Sequence, residues 1–192
     1  MIRAEFKDKD RIVDILAASF DDNNSVNYIV KQDKIRKKRI RRLMEYSFDV
    51  CHSFGKVYLS DDKKGCALIV LPDKKKTTLP SILLDLKLIF TCIGLSNVKK
   101  AMSREAKIKK LQPNERMCYL WFIGVDPLEQ NKGVGSVLLS EIIDESKSDK
   151  RTICLETSTH RNLPWYQKFG FGIYNELDLG YKLFFLKKDA SK

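Results

Sequence analysis

A chain of 192 residues, 43% of them hydrophobic, is long enough for one well-buried core, so a single domain spanning 1–192 is expected. Its 36 basic and 25 acidic residues leave a net charge of +11, which favours anionic partners such as nucleic acid, a membrane surface or a phosphate-bearing cofactor without choosing among them. The five cysteines, at 51, 66, 92, 118 and 154, are widely separated and odd in number, and with only two histidines they indicate neither a zinc site nor a disulfide framework.

From the N-terminus, Ile2 to Phe6 reads as a short strand, and residues 10–20 read as a helix whose apolar positions 12, 13, 15, 16 and 20 form one face. Asp21-Asp-Asn-Asn-Ser25 breaks it. Residues 31–54 read as one long helix that opens on a basic run, Lys31, Lys34, Arg36, Lys37, Lys38, Arg39, Arg41 and Arg42. Such a run suits either a phosphate-binding face or a solvated outer face. No aromatic residues are interleaved for base stacking, so a solvated face without specific nucleic-acid function is expected. Lys56 to Ser60 and Cys66 to Leu71, joined by Asp61-Asp-Lys-Lys-Gly65 and ended by Pro72, give a β-hairpin. Between 73 and 115 the strand pattern lapses into a basic turn, a hydrophobic helical stretch near 80–94 and a charged segment from Lys99 to Lys110. Two helices over one face of a sheet are expected there, as an insertion that shapes a pocket, touches a membrane or forms an oligomer interface. The apolar stretch from Ile82 to Leu95 is interrupted by Asp85 and Lys87, and the chain shows neither a signal peptide nor a run of 18 apolar residues. A soluble, cytoplasmic protein is the expectation.

The most informative stretch is Tyr119 to Ser136, YLWFIGVDPLEQNKGVGS. Its aromatic and β-branched start is a buried strand ended by Asp126-Pro127. Gln130-Asn-Lys-Gly133-Val-Gly135 follows, and then Val137, Leu138, Leu139, Ile142 and Ile143 recur at helical spacing. Strand, glycine-rich loop and helix make a place where unpaired N–H groups and the helix dipole hold phosphate, with Lys132 at its mouth. For Gly-x-Gly alone, an ordinary strand-to-helix turn that uses glycine for backbone freedom is the favoured reading. The P-loop pattern is absent because Lys132 precedes the glycines, and the dinucleotide pattern is absent because position 138 is leucine.

Gln-x-x-Gly-x-Gly after a strand ending Val-Asp-Pro resembles the acyl-CoA pyrophosphate loop of the GNAT N-acetyltransferase superfamily. Downstream, Thr152 to Thr157 reads as a further strand, followed by Asn162, then Tyr166 four residues before Gly170-Phe171, in the superfamily's order. The wording LETSTHRNLPWYQKFGF is similar to the branch that contains puromycin N-acetyltransferase.

The resemblance implies an α/β chain with the GNAT fold, a mixed, mostly antiparallel sheet with helices on both faces. It implies acetyl-CoA as co-substrate, no metal, and transfer of the acetyl group to a primary amine of a small molecule. A protein or peptide amine, or acyl-CoA binding without turnover as a sensor or scaffold, are the alternatives. It further implies that Ile123, Gly124 and Val125 line the pantetheine arm, with Gly124 marking a bulge, and that Gln130, Asn131, Lys132, Gly133, Val134, Gly135 and Ser136 hold the diphosphate. Tyr166 takes the place of the superfamily's tyrosine acid and touches the cofactor, as does Asn162. Without the family, Tyr166 reads as a packing residue beside Trp165, and Asn162 as a helix cap. Glu156 is the candidate base, acting through water, with His160 as the other candidate. A monomer or homodimer that engages neither specific nucleic acid nor membrane is expected.

Overall fold

The computed structural model describes residues 1–190. Its strands are β1 (Ile2–Arg3), β2 (Gly55–Leu59), β3 (Gly65–Val70), β4 (Met117–Val125), β5 (Thr152–Thr157), β6 (Gly172–Asp178) and β7 (Lys182–Lys188). They form one sheet in the order β1-β2-β3-β4-β5-β7-β6. Its single parallel pair among the described residues is β4 with β5, so the sheet is mixed and mostly antiparallel, as expected.

The helices are α1 (Lys9–Ser19), α2 (Asn24–Ile29), α3 (Arg36–Phe54), α4 (Leu79–Leu88), α5 (Val98–Leu111), α6 (Val134–Ser148) and α7 (Leu163–Lys168). Covered on both sides, β3 is buried at every position, which is why GCALIV reads as a continuous apolar run rather than an alternating one. Ile12, Leu16, Met44 and Phe48 of α1 and α3 pack on one face with Leu68 and Phe122. Leu139, Ile142 and Tyr166 of α6 and α7 cover the other with Ile69, Leu120 and Leu155. On β7, Phe184 and Leu186 join that second layer, so by strand alternation Leu183 and Phe185 face the first side, where Ile108 of α5 meets them.

Four elements depart from the sequence reading. Strand β1 ends at Arg3 rather than Phe6, which opens a 3₁₀ turn over Phe6–Asp8. Helix α2 has only six residues, too few to show a helical period, and is fixed by its N-cap, where Asn23 Oδ1 accepts the Val26 N–H at 3.1 Å. Helix α3 begins at Arg36 rather than 31. Asp33 stops it extending back, accepting the Ile35 N–H at 3.1 Å and binding the Arg39 guanidinium at 2.7 Å. Most of the basic run is likewise tied down: Arg36 pairs with Asp21, Arg41 with Asp14 and Arg42 with Glu45. Finally, only α5 of the two insertion helices reaches the sheet. No residue of α4 is buried; it rests on α3, with Tyr46 Oη donating to Asp85 at 2.7 Å. It runs on as a π-helical turn, Ile89–Ile93, that buries Cys92 and Ile93 and ends at Gly94, whose φ of +75° calls for glycine.

All five cysteines are buried and unpaired, and burial pushes the Cys92 and Cys154 thiols up to about 12, so they serve as small core side chains.

The insertion is anchored at its start by Asp73, which accepts two 2.7 Å bonds from Arg151, itself buried and also donating to the Met117 carbonyl at 3.1 Å. This guanidinium holds the Asp73 carboxyl down at about 2. Replacing Asp73 by asparagine is expected to lower unfolding free energy by about 2 kcal/mol in urea titrations near neutral pH, the partly exposed carboxylate placing it below a fully buried pair. Because the folded pKa is depressed, the stabilisation is complete above the unfolded value of about 4 and fades as pH falls towards about 2, so the two proteins should converge in acid.

Candidate active site

The site begins where two strands part. β4 and β5 pair only from Met117–Thr152 to Tyr119–Cys154. Beyond that point β4 stays with β3, and β5 with β7, so a slot opens between residues 120–125 and 155–157. Asp126 N–H donates to Lys64 O at 2.8 Å, which sets the phase of the antiparallel ladder. Pairs Cys66–Gly124 and Leu68–Phe122 therefore bond across to β3, while Ile123 and Val125 turn their N–H and C=O groups into the slot.

The bulge in β4 lies at Trp121, not at Gly124: Leu68 faces Phe122 and Ile69 faces Leu120, leaving Trp121 unpaired. Trp121 and Phe122 consequently point to the same side, among α1 and α3, whereas Leu120 and Ile123 both face the α6 layer. Gly124 serves a different purpose. A Cβ there would lie 2.9 Å from Leu16 Cδ2 and 3.3 Å from Ser19 Oγ, so its absence lets α1 lie close against β4. Through that contact Ser19 Oγ reaches the Val125 carbonyl at 2.7 Å, and Gln130 Nε2 donates to the same oxygen at 3.3 Å.

At the mouth of the slot, Asn131 and Gly133 adopt left-handed conformations, φ +62° and +88°, and Gly133 caps α6. A Cβ on Gly133 meets nothing within 4 Å, so it is the backbone angle that requires glycine. Gly135 is packed at ordinary distances by Val125 and Trp165, and Trp165 Nε1 donates to Ser136 Oγ at 3.0 Å. Ser136 N–H bonds to Gly133 O at 2.9 Å, while the N–H groups from Gln130 to Gly135 have no partner among the described residues. Unpaired donors at a helix start are of the kind that can hold an anion. Lys132 does not stand free: it and Lys64 each lie 3.0 Å from Glu129, and the two ammonium groups, Lys64 foremost, lower the Glu129 pKa.

Glu156 projects from β5 on the α5 side, just past the last β4 pair. Tyr119 Oη donates to its Oε2, and Gln112 Nε2 to Oε1 at 3.3 Å. Burial raises its carboxyl to about 7, against the pull of Tyr119, Gln112 and the nearby Arg104. Beyond it, Arg104 of α5 donates to Tyr181 Oη at 3.2 Å and to Ser25 Oγ, and those two hydroxyls lie 3.1 Å apart. One network thus ties α2, α5 and the β6–β7 turn across the end of this side.

Tyr166 lies on the opposite side of the sheet, 5% exposed, flanked by Trp165 at 4.8 Å and Phe171 at 5.7 Å between ring centroids. Burial alone raises its pKa, and no hydrogen bond holds its hydroxyl among the described residues. Asn162 occupies the N-cap position of α7, but its side chain makes no cap bond and is left for another partner. His160 is exposed, its ring edge-on to Phe184 at 5.8 Å, on the α6–α7 side and away from the Glu156 cluster.

Residues 93–171 match the acetyltransferase (GNAT) family. A solved structure described as histone acetyltransferase HPA2 and related acetyltransferase, from Corynebacterium glutamicum, superimposes with a TM-score of 0.74 at 19% identity, covering 98% of this chain and 94% of the other. This chain has the GNAT fold. Other GNAT-like neighbours include a putative phosphinothricin N-acetyltransferase (TM-score 0.58, 15% identity, 100% and 98% covered). The ribosomal-protein-S18-alanine N-acetyltransferase of Escherichia coli is similar at a TM-score of 0.54 and 15% identity, with 100% and 93% covered.

Within this GNAT fold, the predicted residues fall into two groups on either side of one slot: the loop from Gln130 to Ser136 with Asn162 and Tyr166, and Glu156 across from them. Ile123 and Val125 edge the slot itself. The sequence reading missed Tyr119, Gln112 and Arg104. Tyr119 looked like the first residue of a buried strand, and Arg104 sits in a segment so rich in lysine that it read only as charged.

Proposed function

We propose that the chain is an acetyl-CoA-dependent N-acetyltransferase acting on a primary amine of a small molecule. The observation that carries this reading is the slot between β4 and β5, with a nest of free N–H groups at one end and a carboxyl poised near pH 7 beside it. Acetyl-CoA held there would supply an activated thioester and needs no metal. The nest and α6 dipole would bind its diphosphate, with Lys132 exchanging Glu129 for phosphate oxygens. The inward N–H of Ile123 or Val125 would orient the thioester oxygen and stabilise charge building on it. Glu156, half ionised near neutrality, would take a proton from the acceptor ammonium so that it attacks as the free amine. Tyr166, which burial keeps protonated, would give a proton to the departing sulfur.

The small-molecule acceptor is favoured over a polypeptide because the Arg104–Ser25–Tyr181 network ties α2, α5 and the β6–β7 turn together across the end of the Glu156 side. The wording of residues 155–171, similar to the puromycin acetyltransferase branch, points the same way. With its arginines paired, the basic run of α3 supports a solvated face over a nucleic-acid surface.

Calorimetry with acetyl-CoA tests the nest, and a panel of primary amines followed by release of free CoA tests the reaction. Gly135→Asp is the informative variant: an acidic residue in the first turn favours the helix but repels a diphosphate. Melting temperature should be held or raised while acetyl-CoA affinity falls at least about tenfold. Unchanged affinity would remove the nest from the proposal, and tight binding without CoA release for any amine would favour a sensor.

A further inference from the structure

The insertion leaves an apolar face that the acetyl-transfer reading does not use. On α4 and the π-helical turn after it, Leu79, Ile82, Leu83, Leu86 and Phe90 recur at helical spacing on one stripe, directed away from α3. Leu79 is 79% exposed, Leu83 66%, Phe90 64%, and Leu95, just past the Gly94 turn, 71%. Apolar side chains aligned in this way at the surface mark a contact site.

What surrounds the stripe indicates its partner. Lys74, Lys75 and Lys76 precede it, Lys87 borders it, and Lys99 follows it, all exposed and none in an ion pair among the described residues. Residues 74–110 hold ten basic and two acidic side chains, so eight of the chain's net +11 charges sit in this segment. The N-terminal end of α3 adds to them. The Lys31 N–H bonds to Cys92 O at 3.1 Å and Arg39 donates to Thr91 O at 3.0 Å, which places the basic run beside the Phe90 end of the stripe. There Lys34, Lys37 and Lys38 are exposed, together with Ile35 at 49%.

We propose that this face docks on an anionic lipid bilayer, with the α4 stripe seated among the acyl chains and the lysines on the headgroups. This departs from the expectation that no membrane partner exists. No single helix among the described residues is long and apolar enough to cross a membrane; Leu79–Ile93 and Leu95–Leu111 reach that length and composition only together, bent by 104°, and the second is held to the sheet through Ile108, so the contact proposed is one that lies in the interface. A second copy of the chain suits the face less well, because two such surfaces would bring like charges together, whereas an acidic headgroup layer over hydrocarbon complements both features.

Flotation of the full chain with vesicles tests the proposal without reference to acetyl transfer. Vesicles of phosphatidylcholine alone are compared with vesicles in which roughly a third of the lipid is phosphatidylglycerol. The protein should float with the anionic vesicles and be released at about 0.5 M salt. Lys74→Gln with Lys75→Gln and Lys76→Gln should weaken partitioning about 100-fold, and Leu83→Ser with Phe90→Ser at least about tenfold, all without loss of the folded circular dichroism spectrum because these side chains are exposed. No flotation, equal flotation with both vesicle types, or full flotation of the serine variant would overturn it. So would a concentration-dependent dimer that the serine variant abolishes without any vesicle binding, which would assign the face to a second copy.

Discussion

Glu156→Gln is expected to lower turnover by about 10²- to 10⁴-fold once an acceptor amine is in hand, the range typical of a lost general base. Glutamine is isosteric: its carbonyl accepts from Tyr119 Oη, and its NH2 donates to Gln112 once that amide turns its oxygen over, so any loss reflects the missing proton acceptor rather than a collapsed site. The pH dependence provides the sign. A base works in its ionised form, so kcat/KM for the wild type should rise with pH through a value of about 7, and that limb should vanish in the variant. Stability should move the other way. The folded carboxyl holds its proton up to about 7, whereas the unfolded one releases it near 4.3, so folding is progressively disfavoured between those values as pH rises. The glutamine variant avoids that penalty and should melt at the same temperature or higher at about pH 8. A variant that turns over at the wild-type rate with an unchanged pH limb would remove Glu156 as the base.

Tyr166→Phe tests the acid on the other side of the slot. The ring and its contacts with Trp165 and Phe171 are kept, and the hydroxyl that is lost holds no hydrogen bond among the described residues, so melting temperature and acetyl-CoA affinity should barely change. Turnover should fall roughly 10²-fold, with kcat and kcat/KM falling together, because the donated proton matters only as the sulfur departs. Equal rates for the two proteins from neutral to alkaline pH would leave Tyr166 a packing residue.

The parts of this site that were legible in the sequence are those whose chemistry is local. A strand, a proline, two glycines and a helix in immediate succession can form little other than a loop over a helix start, and Asn162, Tyr166 and Gly170-Phe171 keep their spacing within one short turn. What could not be read depends on partners far away in the chain. Trp121 is unpaired only because of how Leu68 and Ile69 line up against β4, and nothing in YLWFIGV distinguishes it from Gly124, whose glycine answers to Leu16 and Ser19. Glu156 could be named as a candidate, but its poise near neutrality comes from burial, set against the pull of Tyr119 and Gln112, 37 and 44 residues away. The apolar positions of α4 misled in the opposite direction, because a helical stripe predicts an amphipathic helix without saying whether protein or something else covers its apolar side.

The unpaired Trp121 bears on how this gene can vary. It is the one residue that the ladder with β3 passes over, so deleting its codon would leave Leu120 and Phe122 as neighbours, still opposite Ile69 and Leu68. Ile123 would keep to the α6 side and Gly124 to α1, whereas a further deletion, with no unpaired residue left to absorb it, would turn part of the strand to the wrong face. Most substitutions at Trp121 itself would preserve the count and hence the frame. In this strand, then, inheritance can spare one residue and no more, and the exposed turn at 61–63 is where larger changes in length can be absorbed.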